Sequence, residues 1–343
     1  MRITPMAALG AVAIMSLTAC ASGADEPAAT SSITSGDDSG IVFEARDPLV
    51  LGYSVYDLQN PYWQSWAAGV EAGAAAAGVE VIIVDQKSSQ QEQVSGSLDL
   101  INQGISGLII TPVQPSALPE TIDAAHEAHI PVVVGDIGAE GDYDAYILSN
   151  NYNGGELAAE AVIDQLGSVE GTHKVGVIEL HAGSVVGEQR VAGFVDRLSG
   201  EDNFEIVSSL DGDDTVDGGY AAAQDMLSAN PDLGAIYAAN DSSAVGAQRA
   251  METAGASVAD GFVVIGFDGN DDAISLVDQG LMTGTVAQDP YGQGVKAVDT
   301  VMALLNGEDP GYSDADTRTI SFPVQMVTST NLADFLAAKA ARN

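Results

Sequence analysis

At 343 residues, 46% of them apolar, the chain has the material for two cores of ordinary domain size. Its 49 Asp+Glu against 11 Lys+Arg give a net charge of −38, a field that repels nucleic acid and anionic membrane and disfavours any polyanionic partner. The charge names no partner. It serves solubility, including in a saline habitat, and it makes any Arg at a candidate site conspicuous.

The chain opens with Arg2 and then "PMAALGAVAIMSLTA" (5–19). This run suits a signal-peptide core and is short for a membrane span, which needs about 20 residues. It ends "LTAC" at Cys20, the single cysteine, so an intrachain disulfide is excluded. The ending resembles the lipobox of bacterial lipoproteins, in which the Cys receives lipid and becomes the new N-terminus. Residues 1–20 are therefore expected to be a lipoprotein signal peptide with Cys20 as its lipidation site. The alternative is a free Cys beside an ordinary signal peptide. Residues 21–47, rich in Ser, Gly, Ala, Asp and Glu without an apolar period, are expected to be a flexible tether. The mature chain is expected to be extracytoplasmic, held on the outer face of the membrane by lipid alone.

From residue 48, short β-branched runs alternate with Ala-rich amphipathic segments. Strands are predicted at 49–55, 80–85, 107–112, 131–136, 174–180, 204–210, 234–240, 262–268 and 284–288. Helices are predicted at 61–77, 90–103, 155–166, 184–199, 217–229, 242–254 and 291–306, and "NLADFLAAKAAR" closes the chain as another. Nearly continuous apolar strands separated by helices imply parallel sheets covered on both faces. Segments 107–136 and 234–268 share a strand–helix–strand pattern ending in Gly and Asp. The fold class is therefore α/β with two similar lobes.

Ligands of open parallel sheets bind outside the carboxyl ends of the strands. Those positions carry Asn60, Tyr62 and Trp63, then Thr111, Asp136, His181, Asn240, Asp241, Asp268, Asn270 and Gln288, with Arg190 on a following helix. Asp accepts, Asn and Gln both donate and accept, and Arg donates a planar fork. Aromatic rings cover C–H faces. A sugar or polyol needs this mixture, because a buried hydroxyl without a partner costs about 1–3 kcal/mol. Each residue also has a structural alternative. Tyr62 and Trp63 could pack as core, Arg190 could form a surface ion pair, Asp136, Asp268 and Asn240 could cap helices, and Gln288 could serve only as a hinge.

The order of "NPYW" (60–63), "GLIITP" (107–112), "IPVVVGD" (130–136), "SNNYNGG" (149–155), "GEQRVAGF" (187–194), "NPDLGAIYAAND" (230–241), "VVIGFDG" (263–269) and "GTVAQDP" (284–290) resembles the substrate-binding proteins of bacterial ABC importers, of the ribose-binding, type I class. The resemblance spans residues 48 to about 330. It implies two Rossmann-like lobes joined by three hinge strands: 48–150 with 288–317, and 151–287 with 318–343. It places ligand contacts on Asn60, Tyr62, Trp63, Asp136, Arg190, Asn240, Asp268 and Gln288, and it implies a monomer that closes on a monosaccharide or polyol and docks on a permease. The sequence departs from the family pattern at Ile137, where ribose binders carry Arg, at Thr111, where they carry Asn, and at Asp214, where an aromatic is expected. Thr111 and Asp214 are thus candidate contacts of altered specificity, and the changes argue against plain ribose.

Two other classes share this fold. A sugar-responsive transcription regulator would need an N-terminal DNA-binding segment in place of the export signal. A sensory lipoprotein would present a sugar-like signal, such as a furanosyl autoinducer, to a receptor. "DDTVDGG" (213–219) lacks the Glu a calcium loop needs at its twelfth position, which is Gln224. His126 and His129 share a helix face without further ligands and are expected at the surface. No phosphate-cradling loop or nucleophile elbow occurs. Neither catalysis, cofactor nor metal is expected.

Overall fold

The computed structural model describes residues 41–342. The expected signal peptide with Cys20, and the tether up to residue 40, lie outside the described residues.

The first sheet is built from β1 (Val50–Val55), β2 (Glu80–Asp85), β3 (Gly107–Ile110), β4 (Val132–Gly135) and β5 (Ala145–Ser149), with α1 (Pro61–Ala77), α2 (Gln90–Asn102) and α3 (Pro119–Glu127) between them. The second follows as α4 (Asn151–Leu166), β6 (His173–Glu179), α5 (Val185–Leu198), β7 (Phe204–Asp211), α6 (Val216–Ala229), β8 (Leu233–Ala238), α7 (Asp241–Thr253), β9 (Val263–Asp268), α8 (Asp271–Asp278) and β10 (Gly284–Ala287). The chain ends with α9 (Pro290–Asn306), β11 (Thr319–Phe322), β12 (Gln325–Thr328) and α10 (Leu332–Ala340).

Strand orders are β11-β5-β4-β3-β1-β2 and β12-β10-β9-β8-β6-β7. All pairings are parallel except β12 against β10. The central strands GLII of β3 and VVVG of β4 are buried throughout, as expected of a sheet packed on both faces. Each sheet separates two apolar clusters; in the first lobe one includes Trp66 and Val298, the other Leu100 and Ile130.

Local signals set the helix ends. Asn60 caps α1 by accepting the Tyr62 N–H at 2.9 Å, Pro61 takes the first helical position, and Gly78 ends the helix at φ +70°. Asp289, Pro290 and Gly307 do the same for α9, the helix that packs on α1.

The chain crosses between lobes three times: from β5 to α4, from β10 to α9, and from β11 to β12. The third crossing corrects the boundary expected at 317/318. Thr319–Phe322 pairs in register with Tyr146–Ser149, so these residues belong to the first sheet. The chain leaves that ladder at Pro323, which has no N–H to donate.

The tether is also shorter than expected. Residues 41–47 pack on the first lobe: the Glu44 N–H reaches the His129 carbonyl at 3.2 Å, Arg46 Nη2 reaches the Ala128 carbonyl at 3.0 Å, and the Phe43 ring lies 6.2 Å from that of His126. His126 is not a surface residue. Its Nε2 lies 3.0 Å from the buried Asp144 Oδ2, which also accepts the Val132 N–H at 2.7 Å. The bond to Asp144 holds the imidazole pKa above its ordinary value. A raised folded pKa means the stabilisation is complete below the unfolded value of about 6.5 and is lost as pH climbs through the folded value. In thermal melts, the advantage of wild type over His126→Asn is expected to be largest near about pH 6 and to shrink above neutrality. A gap that does not change with pH would show that the bond works with a neutral imidazole.

Candidate functional site

The carboxyl ends of both sheets bring polar side chains to one recess beside the hinge. In the first lobe, the opening turn of α1 carries Tyr62. Its ring stands edge-on to Trp63 at 4.8 Å, and its hydroxyl lies 2.8 Å from Asp136 Oδ1 and 3.3 Å from Gln288 Oε1. Gln288 sits at the second crossing. Its Oε1 accepts from Ser149 Oγ at 2.7 Å, and its Nε2 donates to Asp268 Oδ1 at 2.8 Å. Asp268, on the second lobe, accepts from Arg190 Nη1 at 3.0 Å. A continuous side-chain chain therefore runs Asp136–Tyr62–Gln288–Asp268–Arg190 from one lobe to the other.

Arg190 is 6% exposed, so it is not a surface ion-pair residue. Its Nε donates to Asn151 Oδ1 at 2.9 Å, its Nη1 also reaches the Ala239 carbonyl at 2.8 Å, and its guanidinium lies 3.8 Å from the centroid of the Phe267 ring. Close packing of α4 on α5 puts it there: a Cβ on Gly155 would run into the Arg190 carbonyl, and one on Gly193 into that of Tyr152.

Neither aspartate caps a helix. Both hold backbone conformations rare for non-glycine residues, Asp136 at φ +61° and Asp268 at φ +123°. Such strain costs about 1–3 kcal/mol per residue and persists where surroundings over-determine it, often at functional sites. Burial pushes both carboxyl pKa values up; the Tyr62 hydrogen bond opposes this at Asp136, and Arg190 with Gln288 opposes it at Asp268. The Asp268 side chain keeps 21% exposure, so it faces an opening. A groove of about 1320 Å³ begins there and is lined by Asn60, Tyr62, Asp268 and Gln288 among others.

Four expected contacts have other work. Trp63 is 5% exposed and stacks on Tyr56 at 5.4 Å with 19° between the rings. It braces Tyr62 from the core and does not line the groove. Thr111 is fully buried; its Oγ1 takes the Tyr56 N–H at 3.1 Å and lies 3.2 Å from the Tyr53 hydroxyl. Asn60 spends its side-chain oxygen on capping α1. Asn240 does the same for α7, with its Oδ1 2.9 Å from the Ser243 nitrogen, and its Nδ2 lies 3.4 Å from the Asp214 carbonyl. Asp214 stands at the end of the neighbouring β7, paired with His181 Nδ1 at 2.5 Å and accepting the His181 N–H at 3.0 Å.

Ser149, Asn151 and Gln293 are not among the expected contacts. Gln293 Nε2 donates to Ser149 Oγ at 2.9 Å, which orients the hydroxyl toward Gln288. Asp241 is buried and pinned by Thr285 Oγ1 and the Asn270 N–H, both at 2.7 Å. It underlies the Asp268 turn, and burial pushes its pKa well up.

Residues 51–309 match the family described as periplasmic binding protein domain. The chain belongs to the periplasmic binding protein family. Within it, the type I, ribose-binding-like class is supported by the two six-stranded lobes and by the relatives. The ribose import binding protein of Bacillus subtilis (strain 168) is 32% identical over 284 residues, 82% of this chain and 88% of that protein. The D-allose-binding periplasmic protein of Escherichia coli (strain K12) is 31% identical, covering 69% and 78%. Among solved structures, a periplasmic ribose ABC transporter protein from Conexibacter woesei DSM 14684 superposes with TM-score 0.77 at 26% identity, covering 88% of this chain and 98% of that one. An ABC transporter solute-binding protein from Mycobacterium smegmatis, solved with glycerol, superposes with TM-score 0.67 at 30% identity, covering 83% and 96%. In this periplasmic binding protein, the chain of side chains from Asp136 to Arg190 lies where the two lobes meet.

Proposed function

We propose that this protein captures a monosaccharide or polyol between its lobes and hands it to an ABC importer, with Tyr62, Asp136, Arg190, Asp268 and Gln288 as the main ligand contacts. Asp214, Asn60 and Asn240 complete the rim. The observation that carries this reading is the bridge from Asp136 through Tyr62 and Gln288 to Asp268 and Arg190. It joins acceptors, donors and an aromatic ring from both lobes, and its members Tyr62, Gln288 and Asp268 line the groove. The sugar-binding relatives support the same reading.

The bridge also suggests how ligand drives closure. Ligand hydroxyls replace the Tyr62–Asp136 and Gln288–Asp268 bonds by bonds of their own, so no buried polar group is left bare. Only the closed form makes both sets of contacts, so ligand shifts the population toward it. The protein acts as a monomer, and its two lobes correspond to the boundaries given above, with the first extended to residue 322.

A thermal-shift screen of pentoses, hexoses, deoxy sugars and polyols tests the reading. A ligand present at a hundred times its Kd adds about 2.7 kcal/mol of stability, a shift of several degrees. No shift with any member would sink it. Export and anchoring rest on the signal peptide and Cys20: Cys20→Ser is expected to release the protein from the membrane fraction, read by fractionation and by loss of fatty-acid labelling.

A further inference from the structure

Asp136, Asp214 and Asp268 follow strands of the two lobes, and among the described residues only Asp214 and Asp268 have a cation within ion-pair distance. Asp268 holds Arg190 at 3.0 Å, and Asp214 holds His181 at 2.5 Å. The bond to Asp214 pushes the His181 pKa up, which favours the imidazolium. Both pairs belong to the second lobe. Asp136 faces the Asp268–Arg190 pair from the first lobe, and the partner of its carboxylate is a neutral phenol, the Tyr62 hydroxyl at 2.8 Å on Oδ1. Its Oδ2 accepts no hydrogen bond among the described residues. Arg190 acts on Asp136 across the recess, but the Asp268 carboxylate acts on it in the opposite sense. The next residue, Ile137, is apolar. The first lobe therefore presents a strained, half-buried carboxylate that has no cation within ion-pair distance among the described residues.

We propose that the ligand supplies the missing cation: a sugar or polyol bearing a protonated amino group. The ammonium sits against Asp136 Oδ2, and the hydroxyls face the paired groups of the second lobe. This rests on the polyol reading above and narrows it. A charge-assisted hydrogen bond is roughly twice as strong as a neutral one. The −38 field of the whole protein also concentrates cations and gives a neutral sugar no such help.

Matched pairs test this: D-glucose with D-glucosamine, D-galactose with D-galactosamine, and myo-inositol with its monoamino analogue, each titrated by calorimetry on the mature protein at low ionic strength. In the pairs that bind, the amino member is expected to bind at least about tenfold tighter, which is 1.4 kcal/mol. In Asp136→Asn, that ratio is expected to fall to within about threefold of unity, while the ligand-free melting point shows that the variant folds. Equal or tighter binding of the neutral members overturns the inference and leaves the polyol reading standing. An amine preference that survives in Asp136→Asn also overturns it, because the cation then sits elsewhere. No heat with any member, neutral or amino, counts against the polyol reading itself.

Discussion

Asp268→Asn is expected to weaken ligand binding at least about a hundredfold, roughly 2.7 kcal/mol, measured by calorimetry with the polyol that gives the largest thermal shift. The carboxylate accepts from Arg190 and Gln288 at once, at 3.0 and 2.8 Å. Substitution leaves a buried guanidinium without its countercharge. It also loosens Gln288, and through Gln288 the Tyr62 hydroxyl. Stability is expected to fall by about 1–3 kcal/mol, the cost of a buried group left without its partner. The lower half of that range applies because solvent reaches Asp268 and screens the pair. Affinity within threefold of wild type would show that Asp268 does not touch ligand. Trp63→Ala should behave differently. Removing a core ring that stacks on Tyr56 costs about 3–5 kcal/mol of stability, so its effect on binding comes through the fold.

Gly193→Val is expected to destabilise the protein by about 3 kcal/mol or more, seen as a lower midpoint in urea unfolding, and to weaken binding although no ligand contact is itself substituted. The α4–α5 contact is among the most intimate in the second lobe, with Gly193 facing the Tyr152 carbonyl and Gly155 facing that of Arg190. A side chain at residue 193 must push α5 away from α4. Arg190, one turn earlier on α5, then loses its alignment with Asn151 on α4 and with Asp268 on β9. Because the effect travels through helix position, Gly193→Ala should lie between wild type and the valine variant in both stability and affinity. Wild-type stability in the valine variant would mean that the helices do not meet as closely as Gly155 and Gly193 imply.

Much of the fold is legible from residues 48 onward. Strands such as GLII and VVVG are continuous apolar runs that can survive only inside a sheet covered on both faces, and their alternation with helices dictates parallel pairing. β5, β11 and β12 were not predicted. Pairing across the sheet, not their own composition, makes them strands. Within the candidate site, Tyr62, Asp136, Arg190, Asp268 and Gln288 are legible because strand ends are where open sheets present ligand groups. Asn60 and Asn240 were equally plausible there. A single side-chain oxygen can cap a helix or meet a ligand, and spacing along the chain does not distinguish the two. Ser149 and Gln293 carried no signal, since 144 positions separate these hydrogen-bonded partners.

What the amino-acid order determined by itself is local: where apolar periods call for strand or helix, where Asn60–Pro61 and Asp289–Pro290 begin helices, and which strand tips carry polar groups. These follow from short-range sterics and burial, which act within a few residues. Tertiary structure alone decided which of those tips share an opening, and that Trp63 and Thr111 turn inward. Among the described residues, it alone left Asp136 outside ion-pair distance of a cation while Asp214 and Asp268 have theirs. Such pairing depends on distances between segments 33 and 78 residues apart in the chain, set only when the strands of the second sheet come together.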